Sequence, residues 1–302
     1  MSKTSICIVG AGAIGGFYGS FLVHPDTNIS AIVRSNTDHI RQHGYRIYSI
    51  HGEWQFQPEN IYHHPTEIES SPDLLIITTK AISNLNLSDY IKPLVGPETV
   101  IMIIQNGIYN DTQLHESYPN NLLISGLAFI GVTRTGAGII EHTDHGRLTI
   151  GKYPHGSHDY LSKIVNWMTT HGAKVTISET IQTERWKKLV WNTAFNPLSV
   201  IYQKDTKALC RDHEDQLRTI MTEVMQLATA DGHHLSSALI DGYITQTAQM
   251  TPYKTSMLVD HINNRDLEID AILTRPIQLG HYYNVPCPNI VNIHQQITQL
   301  IR

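Results

Sequence analysis

The sequence predicts an α/β protein in which an N-terminal doubly wound sheet is followed by a C-terminal all-helical domain. Three observations carry this expectation. A β-prone apolar run at 5–9 leads straight into Gly10-Ala11-Gly12-Ala13-Ile14-Gly15. Continuous apolar runs then recur at 74–79 and 100–104, a pattern suited to parallel strands covered on both faces. Beyond about Ser178 helical periodicity takes over and continues to the end of the chain. The predicted division is therefore 1–178 and 179–302, and 302 residues are enough for two cores.

Taken in order, 5–9 reads as a buried strand, 13–23 as a helix and 29–33 as a second strand, so the glycines open a βαβ unit. Gly10 permits the tight turn, Gly12 removes a side chain that would block a pyrophosphate, and Gly15 lets helix and strand approach closely. Phosphates would then lie at the positive end of the helix. This is a Rossmann-type arrangement, and residues 10 to 15 are its candidate dinucleotide contacts. Arg34-Ser35-Asn36 follows the second strand, where such folds distinguish NAD from NADP. Arg34 can fork around a phosphate, Ser35 and Asn36 can donate to it, and no carboxylate follows until Asp38. NADPH/NADP+ is thus favoured over NADH, the alternative being that Arg34 is only a solvated charge at a strand end.

Next, 45–50 and 53–56 flank His51-Gly52 as a hairpin, and a helical segment separates the strands at 74–79 and 100–104. A strand is expected at 122–129, then two antiparallel additions at 139–142 and 147–150 after Gly136-Ala137-Gly138. A helix at 159–170 and a strand at 173–177 close the first domain. The helices expected beyond it are 184–195, 212–230, 236–249, 254–262, 270–283 and 289–301, with Pro286 and Pro288 marking the break before the last.

Composition narrows the function classes. A net charge of −5 offers no general nucleic-acid surface, and runs such as Val100–Ile104 are far too short to cross a bilayer. The expectation is a cytoplasmic protein with neither nucleic-acid nor membrane partners. Cys7, Cys210 and Cys287 are widely separated and form no Cys-x-x-Cys pair, which suits a reducing compartment. The chain has 18 histidines, including His63-His64, His233-His234 and His142-Thr143-Asp144-His145, yet none stands at a recognised zinc spacing, so no metal site is expected.

A nicotinamide cofactor that delivers hydride needs an acid to protonate the oxygen formed. On a helix through 185–196, Lys188, Asn192 and Asn196 fall on one face at successive spacings of four. The apolar flank of Trp186, Leu189, Val190 and Phe195 points to a buried helix, where polar residues in register are costly without partners. Read blandly, Lys188 is a solvated lysine and Asn196 a helix end before Pro197.

Across nearly its whole length the chain resembles the ketopantoate reductases of the 6-phosphogluconate-dehydrogenase-like superfamily. The resemblance rests on Gly10-Ala11-Gly12-Ala13-Ile14-Gly15, Thr79-Lys80-Ala81 and Gln105-Asn106-Gly107, and on the Trp-x-Lys-Leu-x-x-Asn-x-x-x-Asn-Pro-Leu run from Trp186 to Leu198. Ser256-Met257-Leu258-Val259-Asp260 and Leu267-Glu268-Ile269-Asp270 complete it. It implies NADPH-dependent reduction of 2-dehydropantoate to (R)-pantoate, a step toward pantothenate and coenzyme A, in a cleft between a Rossmann domain and a helical domain. Lys188 matches the family's general acid and Glu268 its substrate-binding acid. Asn192, Asn196 and Ser256 match positions that hold the substrate, Asn106 the junction of cofactor and substrate, and Arg34 and Lys80 the NADPH phosphate end. Plainer roles stay open: a surface lysine for Lys80, a turn for Asn106-Gly107, and pairing with Arg265 for Glu268. A homodimer is compatible with the sequence.

Three positions depart from the family pattern. Tyr253 stands where many members have an asparagine, Ser83 replaces a frequent glutamine, and Leu273-Thr274 stand where Asn-Gly often follows. The first bears on which 2-oxo acid fits, so a reductase of another branched or aromatic 2-oxo acid is an alternative. A non-catalytic NADPH-binding sensor is a second, against which Lys188 and Glu268 weigh together.

Overall fold

Six β-prone residues, Thr4–Val9, form the first strand (β1), and its last four are buried. The computed structural model describes residues 3–82 and 86–301. They group into two compact units, one holding most of the chain up to 181 and the other residues 182–301 together with 81–82 and 106–110.

In the first unit β1 is followed by α1 (Ala13–Ser20), β2 (Thr27–Ile32), α2 (Thr37–His43), β3 (Tyr45–Ser49), β4 (Gly52–Phe56), β5 (Asn60–Tyr62) and β6 (Leu74–Ile77). Then come α3 (Leu87–Ile91), β7 (Val100–Ile104), α4 (Asn110–Ser117), β8 (Leu123–Gly136), β9 (Ile139–Lys152), α5 (Asp159–Thr170) and β10 (Lys174–Ile177). One sheet contains all ten strands, in the order β4-β3-β9-β8-β7-β6-β1-β2-β5 with β10 on β9. From β5 to β8 every neighbouring pair is parallel. The sheet thus continues from β1 through β2 to β5 on one side and through β6, β7 and β8 on the other, while β3 and β4 lie at the far edge beyond β9. The divergence at β1 creates a crevice at the carboxyl ends of β1 and β6, where doubly wound sheets bind their ligands. Apolar side chains cover both faces, Ile6, Ile8, Ile76 and Met102 packing on one and Cys7, Val9, Leu75 and Ile103 on the other.

The additions expected at 139–142 and 147–150 are one strand, β9, antiparallel to β8. Register shifts between Phe129/Ile130 and Gly131/Val132, together with positive φ at His145 (60°) and Gly146 (105°), absorb the two extra residues, Gly146 and Thr143, that interrupt its alternation. Helix α1 is shorter than the expected 13–23, because the Phe21 and Leu22 N–H groups close it with tighter bonds to the Tyr18 and Gly19 carbonyls.

The second unit is helical: α6 (Ile181–Tyr202), α7 (Thr206–Asp212), α8 (Glu214–Ala230), α9 (Leu239–Gln249), α10 (Ser256–Ile262), α11 (Arg275–Tyr283) and α12 (Pro288–Leu300). Its core includes Trp186, Phe195, Leu217, Val224, Ile272 and Ile290. Helix α6 was expected to stop at 195 but runs on through Pro197. Proline removes only the N–H that would have bonded the Thr193 carbonyl, and Ala194, Phe195, Leu198 and Val200 are all fully buried, so packing outweighs that loss. The helix expected at 212–230 starts two residues later, as α8, because His213 ends the separate helix α7, whose own start is capped by Asp205 accepting the Ala208 N–H at 2.8 Å. Its counterpart at 270–283 opens with a turn of π-helix, Asp270–Thr274. That wider turn presents the Ile272 carbonyl to the Thr193 hydroxyl of α6 at 3.1 Å. Among the described residues no helix is long and apolar enough to cross a membrane.

Candidate active site

In the first unit the chain leaves β1 at Gly10 with φ +85°, and a Cβ there would stand 2.7 Å from Thr79 Cγ2 and 2.8 Å from its backbone nitrogen. Only glycine fits both the conformation and the space. At Gly15 a Cβ would run into the Thr78 hydroxyl, which itself donates to the Gly10 carbonyl at 2.8 Å. Gly12 differs: the nearest atom to a Cβ there is the Gly10 oxygen at 3.7 Å, so the surface above it is open. The Tyr45 hydroxyl fixes Ala11 by donating to its carbonyl at 2.6 Å. Ala13 and Ile14 begin α1, whose first turn has no acidic residue and no side-chain cap. Its leading amides are left for an anion, and this cradle fits the diphosphate of a dinucleotide.

Arg34 and Ser35 are exposed beyond β2, and Lys80 is partly buried beyond β6. Asp38 is held by Arg41 at 2.6 Å. Ser83 lies outside the described residues.

The second unit contains a polar chain assembled from distant parts of the sequence. Lys188 Nζ donates to Asn106 Oδ1 at 2.9 Å, Asn106 Nδ2 donates to Glu268 Oε2 at 2.7 Å, and the Ala81 N–H donates to Glu268 Oε1 at 3.1 Å. Arg265 is engaged elsewhere, 3.8 Å from Asp260. Gly107, with φ +84°, lets the strand-to-helix connection pass so close to Ala271 that a Cβ would lie 2.5 Å from its carbonyl oxygen. That passage holds Asn106 in place.

Burial, and then the positive charge of Arg185, pull the Lys188 ammonium from its ordinary 10.5 down to about 8, while Glu268 acts in the opposite direction. Arg185 lies one turn before Lys188 on α6, is buried, and donates from Nη1 to the Gly107 carbonyl at 3.0 Å. The result is an ammonium that is charged at neutral pH yet gives up its proton readily.

Asn192 and Asn196 continue the Lys188 face of α6 and are only 5% and 2% exposed. Neither side-chain amide hydrogen-bonds to another described residue. Neither amide is sealed from solvent, so both are able to hydrogen-bond polar groups of a ligand. Ser256 is exposed at the start of α10, a helix capped by Thr255, and makes no hydrogen bond to the Lys188 chain. Tyr253 is partly buried, and its carbonyl accepts the Thr206 N–H at 2.9 Å. Leu273 is buried, and the Thr274 hydroxyl meets His294 Nε2 at 3.2 Å.

Two contributors were not singled out from the sequence. One is Arg185, whose role depends on burial; its place one turn before Lys188 was the available signal. The other is Asp231, which accepts the Tyr283 hydroxyl at 2.6 Å, Trp186 Nε1 at 2.8 Å and the Tyr109 hydroxyl at 3.0 Å. Through Tyr109 it ties down the connection that carries Asn106. Nothing in the spacing of these four residues announces the cluster.

Comparison with known proteins follows the same division. The family described as ketopantoate reductase PanE/ApbA matches residues 6–155, and its C-terminal counterpart matches 180–301. A 2-dehydropantoate 2-reductase of Nostoc sp. is 29% identical over 304 residues, covering 98% of this chain and 95% of that protein. The crystal structure of 2-dehydropantoate 2-reductase from Methylococcus capsulatus superposes with a TM-score of 0.92 at 35% identity, over 98% of this chain and 96% of the other. That from Geobacter metallireducens gives 0.91 at 28% identity, over 98% and 99%.

Proposed function

Because the chain belongs to the ketopantoate reductase family of NAD(P)-dependent oxidoreductases, we propose that it reduces 2-dehydropantoate to (R)-pantoate with NADPH, using Lys188 as general acid. The observation that carries this reading is the partly buried Lys188 ammonium, held by Asn106 and lowered to about 8.

NADPH, when bound, supplies a hydride to the 2-oxo carbon of the substrate. Negative charge then grows on the former ketone oxygen, and a preorganised cation in a water-poor setting stabilises it far better than solvent does. Lys188 provides that cation, transfers one proton to the oxygen to complete the alcohol, and is reprotonated from solvent. Its lowered pKa favours the transfer while leaving most molecules charged at neutral pH. Asn106 accepts one ammonium N–H and so aims the remaining donors. Glu268 orients the Asn106 amide and serves as a polar anchor for the substrate. Asn192, Asn196 and Ser256 bind the substrate's carboxylate and hydroxyl groups, the two amides having donors and acceptors not used by other described residues.

Residues 1–178 hold the cofactor and 179–302 supply most of the catalytic and substrate-binding groups. The glycine loop, residues 10 to 15, cradles the diphosphate, Arg34 and Lys80 take the phosphate of the adenosine end, and Asn106 borders both cofactor and substrate. The reading makes this a cytoplasmic enzyme whose partner is a small 2-oxo acid.

Spectrophotometric NADPH oxidation by the purified protein, with ketopantoate alongside branched and aromatic 2-oxo acids, tests the proposal. Ketopantoate should give the highest kcat/KM. A higher value for an aromatic acid would move the substrate assignment to a pocket shaped by Tyr253, and NADPH binding without turnover of any 2-oxo acid would overturn the catalytic reading.

A further inference from the structure

The geometry points to Arg134, on the β8–β9 hairpin, as a second guanidinium of the site that reads the 2′-phosphate of NADPH, acting with Arg34 and Ser35. The inference rests on the cofactor reading above and adds a specificity-determining residue from a distant part of the chain.

Ser35 follows Arg34 directly after β2, the position at which this kind of sheet meets the adenosine ribose. Arg134 Nη2 donates to the Ser35 hydroxyl at 3.0 Å, across 99 residues of sequence. The same guanidinium is close enough to Tyr45 for its charge to oppose the burial that raises that phenol. Tyr45 in turn holds the Ala11 carbonyl of the glycine loop at 2.6 Å. Arg134 therefore touches the strand end through Ser35 and acts on the tyrosine that holds the glycine loop.

Its placement is fixed by the hairpin. Arg134 pairs with Ile140 just before the turn, the Arg46 N–H donates to the Gly138 carbonyl at 2.8 Å, and a Cβ on Gly138 would stand 2.5 Å from the Gly44 carbonyl oxygen. The hairpin tip is thus seated on the residues that lead into β3, and the arginine it carries needs little reordering to meet an anion.

Charge balance is the second argument. Neither Arg34 nor Arg134 forms an ion pair among the described residues, while the nearest carboxylate in sequence, Asp38, is occupied by Arg41. An uncompensated guanidinium on the Ser35 hydroxyl, with a second carried by the preceding residue, matches a dianionic phosphate ester, whose oxygens accept forked N–H pairs and an O–H. Two ribose hydroxyls, as in NADH, would leave both charges unanswered.

Dissociation constants for NADPH, NADH, adenosine 2′,5′-bisphosphate and 5′-AMP, measured calorimetrically on the full chain and its variants, test this. Arg134→Ala should weaken NADPH and the bisphosphate about tenfold or more and leave NADH and 5′-AMP within about twofold. Arg134→Lys, which keeps the charge without the fork, should recover part of the loss. Arg34→Ala gives the reference effect. Loss of NADPH affinity in Arg34→Ala but not in Arg134→Ala would overturn the inference and leave the cofactor reading standing, as would equal losses for all four ligands in Arg134→Ala. A wild-type chain that binds neither NADPH nor NADH would overturn both.

Discussion

Between Gly10 and Gly15 the first unit bares its backbone where side chains would otherwise stand, whereas around Lys188 the second unit gathers side chains from three distant parts of the sequence. The contrast follows from what each region handles. A diphosphate is recognised by repeated N–H donors and close approach, which one contiguous turn can offer. An acid of adjusted strength needs burial, a neighbouring charge and a fixed acceptor, and no local stretch provides all three.

The largest effect expected is on chemistry alone. Lys188→Ala should lower kcat by roughly a thousandfold while NADPH affinity stays within about twofold. Steady-state kinetics paired with cofactor titration would show it, and a kcat near wild type would remove Lys188 from its role.

Next comes a pair of backbone tests. Gly10→Ala and Gly107→Ala each place a Cβ at positive φ against a neighbouring residue, a strain of about 1–3 kcal/mol. Gly10→Ala should lower NADPH affinity by up to about a hundredfold, and Gly107→Ala should lower kcat by displacing Asn106. If Gly107→Ala weakened NADPH as much as Gly10→Ala does, the division into a backbone site and a side-chain site would break down.

A third test uses pH. The acid must be protonated to act, so kcat/KM should fall as pH rises through about 8, approaching tenfold per unit above it. Glu268 favours the charged ammonium, so Glu268→Gln should shift this limb to lower pH, and an unmoved limb would uncouple the two residues. The smallest effect belongs to the unpartnered amides: Asn192→Ala and Asn196→Ala should each raise KM about tenfold with kcat less affected, and unchanged substrate kinetics would show that these amides face no ligand.

The same contrast explains what could be read before the fold was known. The strand, glycine loop and helix from β1 to α1 are contiguous and periodic, and α5 lies within the bounds 159–170 that its pattern predicts. The face of Lys188, Asn192 and Asn196 was visible because it repeats every four residues. Helix α6 was cut short because local chemistry at Pro197 argues for a stop, and only the buried flank reverses it. β9 was split because a bulge interrupts its alternation. The Asn106–Glu268 contact spans 162 residues, and the link from Arg134 to Ser35 spans 99. No periodicity encodes such distances, and family resemblance supplied Asn106 and Glu268 as separate residues without the contact between them.

The Asn106 amide is an electrical spacer. Its oxygen faces an ammonium and its nitrogen faces a carboxylate, so two opposite charges are kept in one alignment without touching. In direct contact the carboxylate would hold the lysine proton tightly and leave a weak acid. With a neutral dipole interposed, attraction is diluted while direction is preserved, and the strength of the acid is set by how well its counter-charge is insulated from it. Exchanging Asn106 for aspartate would short that insulation.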